Sequence, residues 1–153
     1  FWGHSEIDKD TQFKKVKNFL NHADILKLAS EEADLFFDTQ DPSEISKVLI
    51  KQPDIIITNG ANPINWYLNG VKGVNEVVMN TSKIIDTTGA GDAFLAGLIS
   101  RYYLYPNLDN PSNIKENIKF ASVCGLLTCL GEGAIEPLPE EKSVYKFLED
   151  FGS

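Results

Sequence analysis

Apolar residues recur along the chain with different spacings, and the spacing distinguishes helices from strands. From Thr11 to His22 they fall at every third or fourth position with lysines between them, which predicts an amphipathic surface helix. Residues 23–28 predict a short strand. Residues 54–58 contain three successive isoleucines, an uninterrupted apolar run that is typical of a strand buried on both faces of a parallel sheet.

Two shorter helices are predicted between these strands from their start signals. Ser30 is a favourable N-cap, acidic residues occupy the first turn, and the helix is expected to run to about Phe37. The second helix begins at Asp41-Pro42, with proline at the first position and an acid where a capping box places it. Pro53 ends it, and its predicted inward residues are Ile45, Val48, Leu49 and Ile50.

The middle of the chain predicts a hairpin, a strand and a buried helix. Asn69-Gly70, a strong hairpin signal, separates Trp66-Tyr-Leu68 from a second run that reaches Met79. Residues 83–85 predict a short strand, and the almost wholly apolar residues 93–99 begin a helix that ends near Tyr105-Pro106.

After a loop at residues 106–112, two further helices are predicted. The first covers residues 114–130, and its small residues would allow close approach of another helix; the predicted inward positions are Ile118, Ala121, Gly125 and Leu126. Residues 131–134 end it. The last helix is amphipathic and turns Val144, Phe147, Leu148 and Phe151 inward.

Strands interleaved with helices predict an α/β fold with a mostly parallel, doubly wound sheet covered by helices on both faces. Three candidate parallel strands and a hairpin are few for a complete domain of this kind. The chain also opens Phe1-Trp-Gly-His4 without a methionine. We therefore expect residues 1–153 to be part of one domain whose other strands lie upstream.

Composition limits the classes of function. A length of 153 residues suits one domain, and a net charge of -8 argues against nucleic acid as a partner. No apolar run is long enough to span a membrane, and no signal peptide is recognisable. Cys124 and Cys129 are expected to be free core thiols, as in a reducing, cytoplasmic compartment.

The stretch Asp86-Thr-Thr-Gly-Ala-Gly-Asp92-Ala-Phe94 carries the candidate chemistry. A strand, a glycine turn and a buried helix in this order direct free backbone N–H groups at one point, where an anion can bind. A site that only held phosphate would gain nothing from the carboxylate of Asp92. A site that transferred a phosphoryl group to a hydroxyl would need a base there. Alternatively, Asp92 is only a first-turn acid and the glycines only form a tight turn.

Two other anion motifs do not fit. A Walker A loop requires Gly-Lys-Ser/Thr, which does not occur in this sequence. A dinucleotide fingerprint requires a third glycine where Phe94 stands, and Asp109 lies in a loop rather than at a strand end. For Glu31 and Glu32, spacing favours interaction with a helix dipole; the alternative is that one of them faces a metal–phosphate site.

The Asp86–Phe94 stretch, followed by Ala96-Gly97, resembles the second motif of the ribokinase-like (PfkB) sugar kinases. Its residues are most similar to those of the fructokinase branch. Residues 23–32, 120–128 and 133–139 resemble further segments of that family in the same order and spacing. The resemblance covers nearly the whole chain but only the carboxyl-terminal half of a family member. It implies a ribokinase-like fold with a Rossmann-like core, without the lid and the N-terminal strands.

The resemblance implies ATP-dependent phosphorylation of a small sugar, most specifically of fructose at its terminal carbon. Asp92 would be the base for the sugar hydroxyl, and the anion hole would be formed by Gly89, Ala90 and Gly91. A monovalent cation such as K⁺ would be held by Asp86, Thr88, Thr128 and Gly133, while Glu32 would lie near Mg²⁺. ATP would lie along Thr58 and Gly60, with its adenine near Ser122.

The sequence departs from the family pattern in three respects. Pro63 stands where members usually have a second glycine three residues after Gly60, and Ser122 replaces a frequent asparagine. The first glycine-rich motif, most sugar-contacting residues and the lid, through which a homodimer would form, are not in this sequence. We therefore expect the 153 residues alone to be inactive. Two alternatives stay open: another sugar or nucleoside kinase of this fold, and a non-catalytic nucleotide-binding or interaction module.

Overall fold

The computed structural model describes residues 9–77, 84–105 and 110–151. Predictions made for Phe1, Met79, Lys83, Pro106 and Asp109 lie outside these residues. The four strands lie among helices in the first half of the described chain, and three helices follow in the second half. Their order is α1 (Lys9–Leu20), β1 (Ile25–Ala29), α2 (Ser30–Phe37), α3 (Pro42–Val48), β2 (Asp54–Asn59), β3 (Asn62–Leu68), β4 (Val71–Asn75), α4 (Ala90–Leu104), α5 (Pro111–Thr128) and α6 (Glu141–Phe151).

The chain divides into two compact units. The first comprises the residues up to Asn59 together with Asn65–Gly73, and the second comprises Gly60–Ile64 together with the residues from Val74 onward. Each unit is described by itself below. The prediction that residues 1–153 are part of one domain stays a prediction.

The strands form a four-stranded sheet in the order β1-β2-β3-β4. β1 and β2 run parallel, in a register that places Ile25 opposite Asp54 and Ala29 opposite Thr58. The predicted hairpin joins β3 to β4, and both of its turn residues, Asn69 (φ 49°) and Gly70 (φ 76°), adopt the positive φ angles of a type I′ turn. The α/β class is confirmed, with a mixed sheet in the part of the chain that the structure describes.

The core of the first unit lies between the helices and one face of β1 and β2. It consists of Leu20, Leu28, Ala33, Ile45, Leu49, Ile55 and Ile57. Ile56 points to the opposite face of β2 and is also fully buried. Burial of three successive isoleucines confirms the prediction that this strand is covered on both faces.

Two of the predicted inward residues of α3 are exposed instead. Val48 is 54% and Ile50 82% exposed. The buried stripe runs through Pro42, Ile45, Ser46 and Leu49, and Val48 falls beside it on the helical wheel. The helix ends at Val48, and Leu49 has an extended backbone that turns Ile50 away from the core.

In the second unit, helices α4 and α5 approach each other closely through small residues, as predicted. A methyl group added to Gly97 would lie 2.7 Å from the Sγ atom of Cys124 and 3.3 Å from the Cα atom of Ala121. Helix α6 packs on the same helix α5, and the shared core comprises Phe120, Val123, Cys124, Val144 and Phe147. Phe151, predicted to face inward, is 53% exposed at the end of α6 and contacts the ring of Phe147.

Both cysteines are free and buried, as predicted, and burial raises the pKa of the Cys124 thiol to about 11. The predicted strand at residues 83–85 is wrong where it can be followed, because Ile84 and Ile85 belong to no strand. The Ile85 N–H donates instead to the carbonyl of Cys129, at 2.9 Å. None of the described helices has the length and apolar character needed to cross a bilayer.

Candidate active site

A tight turn precedes helix α4. The Ala90 N–H donates to the Thr87 carbonyl at 3.2 Å, and Gly89 adopts φ 79° and ψ −5°. These angles are those of the third residue in a type II turn, a conformation that favours glycine. A methyl group on Gly89 would also lie 2.8 Å from the Cβ atom of Ala134. Glycine is therefore required here both by the turn and by a neighbouring segment.

Gly89 is the N-cap of α4, and the first helical hydrogen bond runs from the Ala93 N–H to the Gly89 carbonyl at 2.9 Å. Gly91 and Asp92 therefore present their N–H groups in the first turn, ahead of any helical acceptor. The Ala90 N–H is not free as the sequence predicts, because it closes the turn onto Thr87. The predicted anion hole therefore has fewer free N–H donors at the start of α4 than the sequence predicts.

Asp92 is the third residue of α4, and its side chain is exposed. The positive end of the helix dipole stabilises an ionised carboxylate in the first turn. The structure therefore places a solvent-accessible carboxylate directly beside the N–H groups of the turn. That arrangement allows the carboxylate to accept a proton from a hydroxyl that approaches an anion bound at the turn.

Asp86 connects this turn to the loop that follows α5. Its Oδ1 atom accepts hydrogen bonds from the N–H and the hydroxyl of Thr88, at 2.9 and 2.7 Å. Its Oδ2 atom accepts from the Gly133 N–H at 3.0 Å. The Thr88 hydroxyl and these backbone N–H groups hold the pKa of Asp86 below its ordinary value. The structure thus brings together Asp86, Thr88 and Gly133, three of the four residues assigned to the monovalent cation.

Thr128, the fourth of these residues, lies at the end of α5 and is fully buried. Its hydroxyl donates to the Cys124 carbonyl one helical turn earlier, at 2.9 Å. Within residues 9–77, 84–105 and 110–151, no three His, Cys, Asp or Glu side chains are grouped as a metal centre. A cation at this turn would rely on oxygen atoms of Asp86, of Thr88 and of the backbone, which are the hard ligands that such cations accept.

In the first unit, Glu32 and Thr58 lie at the carboxyl ends of the parallel strands β1 and β2. Ala29, the last residue of β1, is paired with Thr58 and donates its N–H to the Oε2 atom of Glu32 at 2.8 Å. The Thr58 hydroxyl donates to the Leu28 carbonyl at 3.4 Å. Open α/β sheets bind ligands at this edge.

Helix α2 begins one residue earlier than predicted. Ala29 is its N-cap, whereas Ser30 is the first helical residue, is buried, and donates its hydroxyl to Glu31 at 3.1 Å. The helix follows the strand without an intervening residue, so the serine is drawn into its first turn. Glu32 closes the cap by accepting from the Ala29 N–H, a contact that the sequence did not predict, since spacing indicated only an interaction with the helix dipole.

The remaining candidates lie in the second unit. Gly60 occupies the turn after β2 with a φ of 54°, and an added methyl group would meet no atom within 4 Å. Ser122 is buried in α5, and Pro63 is exposed in β3. Sequence reasoning missed Ala134 and the carbonyl of Cys129 as neighbours of the Asp86–Asp92 turn. These backbone contacts join distant segments and leave no local pattern.

Comparison with known proteins identifies the class. The profile of the pfkB family carbohydrate kinases matches residues 5–141. The chain belongs to this family. The family assignment inferred from the Asp86–Phe94 motif is thereby confirmed.

Relatives of the chain include proteins that are named fructokinases. The chain is 34% identical over 141 residues to Fructokinase-1 of Oryza sativa subsp. japonica, covering 88% of this chain and 42% of that protein. It is 31% identical to Probable fructokinase-7 of Arabidopsis thaliana, with coverage of 88% and 40%. The chain therefore spans less than half the length of these relatives.

Solved structures agree on the fold. The fructokinase of Vibrio cholerae O395, in a fructose-, ADP- and calcium-bound form, has a TM-score of 0.76 and 29% identity, with 91% of this chain and 45% of that chain covered. The fructokinase of Xylella fastidiosa with bound ATP has a TM-score of 0.77 at 23% identity, covering 99% and 49%. The ribokinase-like fold is thereby confirmed.

Proposed function

We propose that the protein containing this chain is an ATP-dependent sugar kinase that transfers the γ-phosphoryl group to a hydroxyl of fructose, giving fructose 6-phosphate. The observation that carries the proposal is the exposed carboxylate of Asp92, beside the N–H groups of the glycine turn. The similarity to proteins named fructokinase supports the choice of fructose. Bound fructose and ADP in the Vibrio cholerae protein support fructose as the acceptor and an adenine nucleotide as the donor.

In the proposed reaction, Asp92 accepts the proton of the attacking sugar hydroxyl, and the oxygen of that hydroxyl forms a bond to the γ-phosphorus. The bond between that phosphorus and the β–γ bridging oxygen breaks, and ADP leaves. The N–H groups of Gly89, Gly91 and Asp92 stabilise negative charge on the transferred group, whereas the Ala90 N–H closes the turn onto Thr87. The carboxylate of Asp92 lies in the first turn of α4, beside the helix N-terminus.

The proposal assigns the remaining residues to cofactors. ATP is bound along Thr58 and Gly60 and near Ser122, and Glu32 lies near its Mg²⁺. K⁺ is held beside Asp86, Thr88 and Gly133, whose mutual hydrogen bonds support this part, with Thr128 contributing from the end of α5. When bound near Glu32, Mg²⁺ would neutralise charge on the phosphates.

The proposal also includes a cytoplasmic location, which suits two free buried thiols, and a homodimer. Neither feature is needed for the chemistry assigned to Asp92. Cell fractionation would test the location, and light scattering on the purified protein would test the dimer.

The test uses the protein expressed from its complete gene. ADP release is measured with fructose, other sugars and a nucleoside as acceptors, for the wild type and for Asp92→Asn. We expect turnover with fructose, and a loss of at least about 10²-fold in the variant. Asp150→Asn, which makes the same change at an exposed residue of α6, is the matched control and should keep full activity.

Turnover that survives Asp92→Asn would refute the role of Asp92. Preference for another sugar or for the nucleoside would replace fructose but keep the kinase. ATP binding without turnover on any acceptor would favour a non-catalytic nucleotide-binding module. The 153 residues alone should bind no sugar productively, since they span only 40–42% of the relatives named above.

A further inference from the structure

Helix α5 lies against the first turn of α4 at one glycine. A methyl group added to Gly125 would stand 2.9 Å from the carbonyl oxygen of Ala90 and 3.7 Å from the Cβ atom of Phe94. The first distance is shorter than real Cβ contacts, and the atom it meets belongs to the backbone. A side-chain atom could rotate away, whereas the Ala90 carbonyl can move only if the first turn of α4 moves with it. Gly125 therefore sets how closely α5 approaches the turn that carries Asp92.

A second segment contacts the same turn. A methyl group on Gly89 would lie 2.8 Å from Cβ and 2.9 Å from Cα of Ala134, so these two residues are in close backbone contact. The neighbouring Gly133 N–H holds the Asp86 carboxylate at 3.0 Å. The start of α4 is thus contacted by α5 through Gly125 and by the loop after α5 through Ala134.

We propose that Gly125 and Ala134 are positioning residues, which hold the first turn of α4 so that the Asp92 carboxylate and the turn N–H groups keep a fixed separation. This inference rests on the proposed kinase function. Its physical basis is that phosphoryl transfer depends on placement, so that a displacement of about 1 Å can cost about 10²-fold in rate. Neither residue contributes a side chain that could take part in the chemistry itself.

The test compares two substitutions in the protein expressed from its complete gene. Gly125→Ala forces α5 away from the first turn of α4. Gly97→Ala adds the same methyl group to the same helix interface further along α4, where it would lie 2.7 Å from the Cys124 sulphur, a side-chain atom that can rotate away. Amide hydrogen exchange over residues 88–94 and steady-state kinetics are measured for both variants.

We expect Gly125→Ala to speed exchange in residues 88–94 and to lower kcat by about 10- to 100-fold, with the KM values little changed. Gly97→Ala should leave exchange in these residues and kcat near the wild-type values. Unchanged exchange in Gly125→Ala, or equal losses of kcat in both variants, would overturn the proposal.

If Gly125→Ala does not fold, Ala134→Gly is the second variant. It removes the methyl group beside Gly89 from a half-buried loop residue, and it should speed exchange in the same segment. Unchanged exchange there contradicts the positioning role. Absence of turnover by the wild type refutes the proposed function instead, while the exchange measurements still decide whether the turn is held in this way.

Discussion

Helices α2 and α4 begin alike in sequence and differ in how they use an acid. Each carries a carboxylate as its third residue, Glu32 in α2 and Asp92 in α4. The Glu32 carboxylate turns back and accepts the Ala29 N–H at 2.8 Å, whereas the Asp92 side chain is exposed beside a glycine turn. The first acid completes a helix cap, and the second is available to a substrate.

The difference comes from the residue before each helix and from side-chain length. Ala29 has the extended backbone of an ordinary N-cap (φ −75°, ψ 156°), and the longer glutamate reaches its N–H. Gly89 has a left-handed backbone (φ 79°), and the aspartate is shorter by one methylene group. The same acidic position can therefore close a helix cap or leave its carboxylate exposed, depending on the residue that caps the helix.

The largest effect should follow when the Asp92 carboxylate is kept but moved by one methylene group. Asp92→Glu preserves the charge near the helix N-terminus, so the free energy of unfolding should change by less than about 0.5 kcal/mol. The base is displaced, so kcat should fall by about 10²-fold. Stopped assays of fructose phosphorylation would measure kcat. If Asp92→Glu kept the kcat of the wild type, the position of the carboxylate would not be critical.

The next effect concerns the cap of α4. Gly89→Ala combines a left-handed backbone with contact to Ala134, and should lower the free energy of unfolding by about 1–3 kcal/mol. Gly60→Ala is the matched control, because it also has positive φ but would meet no atom within 4 Å. Urea unfolding should show the greater loss for Gly89→Ala, and equal losses would mean that the contact with Ala134 contributes nothing.

A smaller effect distinguishes the two roles assigned to Glu32. Glu32→Asp is too short to reach the Ala29 N–H and should destabilise the protein by about 0.5–1.5 kcal/mol. Glu32→Gln keeps the hydrogen bond and removes only the charge, so it should destabilise the protein less than Glu32→Asp. If Glu32 also lies near Mg²⁺, Glu32→Gln will raise the Mg²⁺ concentration needed for half-maximal activity. An unchanged Mg²⁺ requirement would limit Glu32 to its cap.

The smallest effect is a dependence of stability on pH. Because the folded protein lowers the pKa of Asp86 below its ordinary value of 3.8, the unfolded chain binds this proton more readily. The contribution of Asp86 to stability is complete above that value and is lost as the pH falls through the lowered pKa. The melting temperature should therefore fall less steeply with decreasing pH in Asp86→Asn than in the wild type. The same decrease of melting temperature in both proteins would contradict this linkage.

Much of the secondary structure followed from local rules. Asn69-Gly70 predicts its hairpin because few residues tolerate two successive positive φ angles. The run at residues 54–58 predicts a strand buried on both faces, and its three isoleucines are fully buried. The Asp86–Phe94 motif indicated the family before any contact was known.

Other features depended on contacts that local patterns do not encode. Val48 and Ile50 were predicted inward by spacing, but α3 is only seven residues long and its buried stripe is narrow. Ile85 was expected in a strand, and its N–H instead bonds the carbonyl of Cys129 from the end of α5. Backbone hydrogen bonds of this kind depend on which distant segments the fold brings together.

The amino-acid order alone was sufficient to identify the family through the Asp86–Phe94 motif, and the role of Asp92 as a base is proposed from that resemblance. It was not sufficient to distinguish Glu32 from Asp92, because both are acids in the first turn of a helix. That distinction arose from backbone conformation and from contacts between distant segments, such as Gly89 with Ala134 and Asp86 with Gly133. A carboxylate is free for chemistry only where the surrounding fold satisfies the helix start without it.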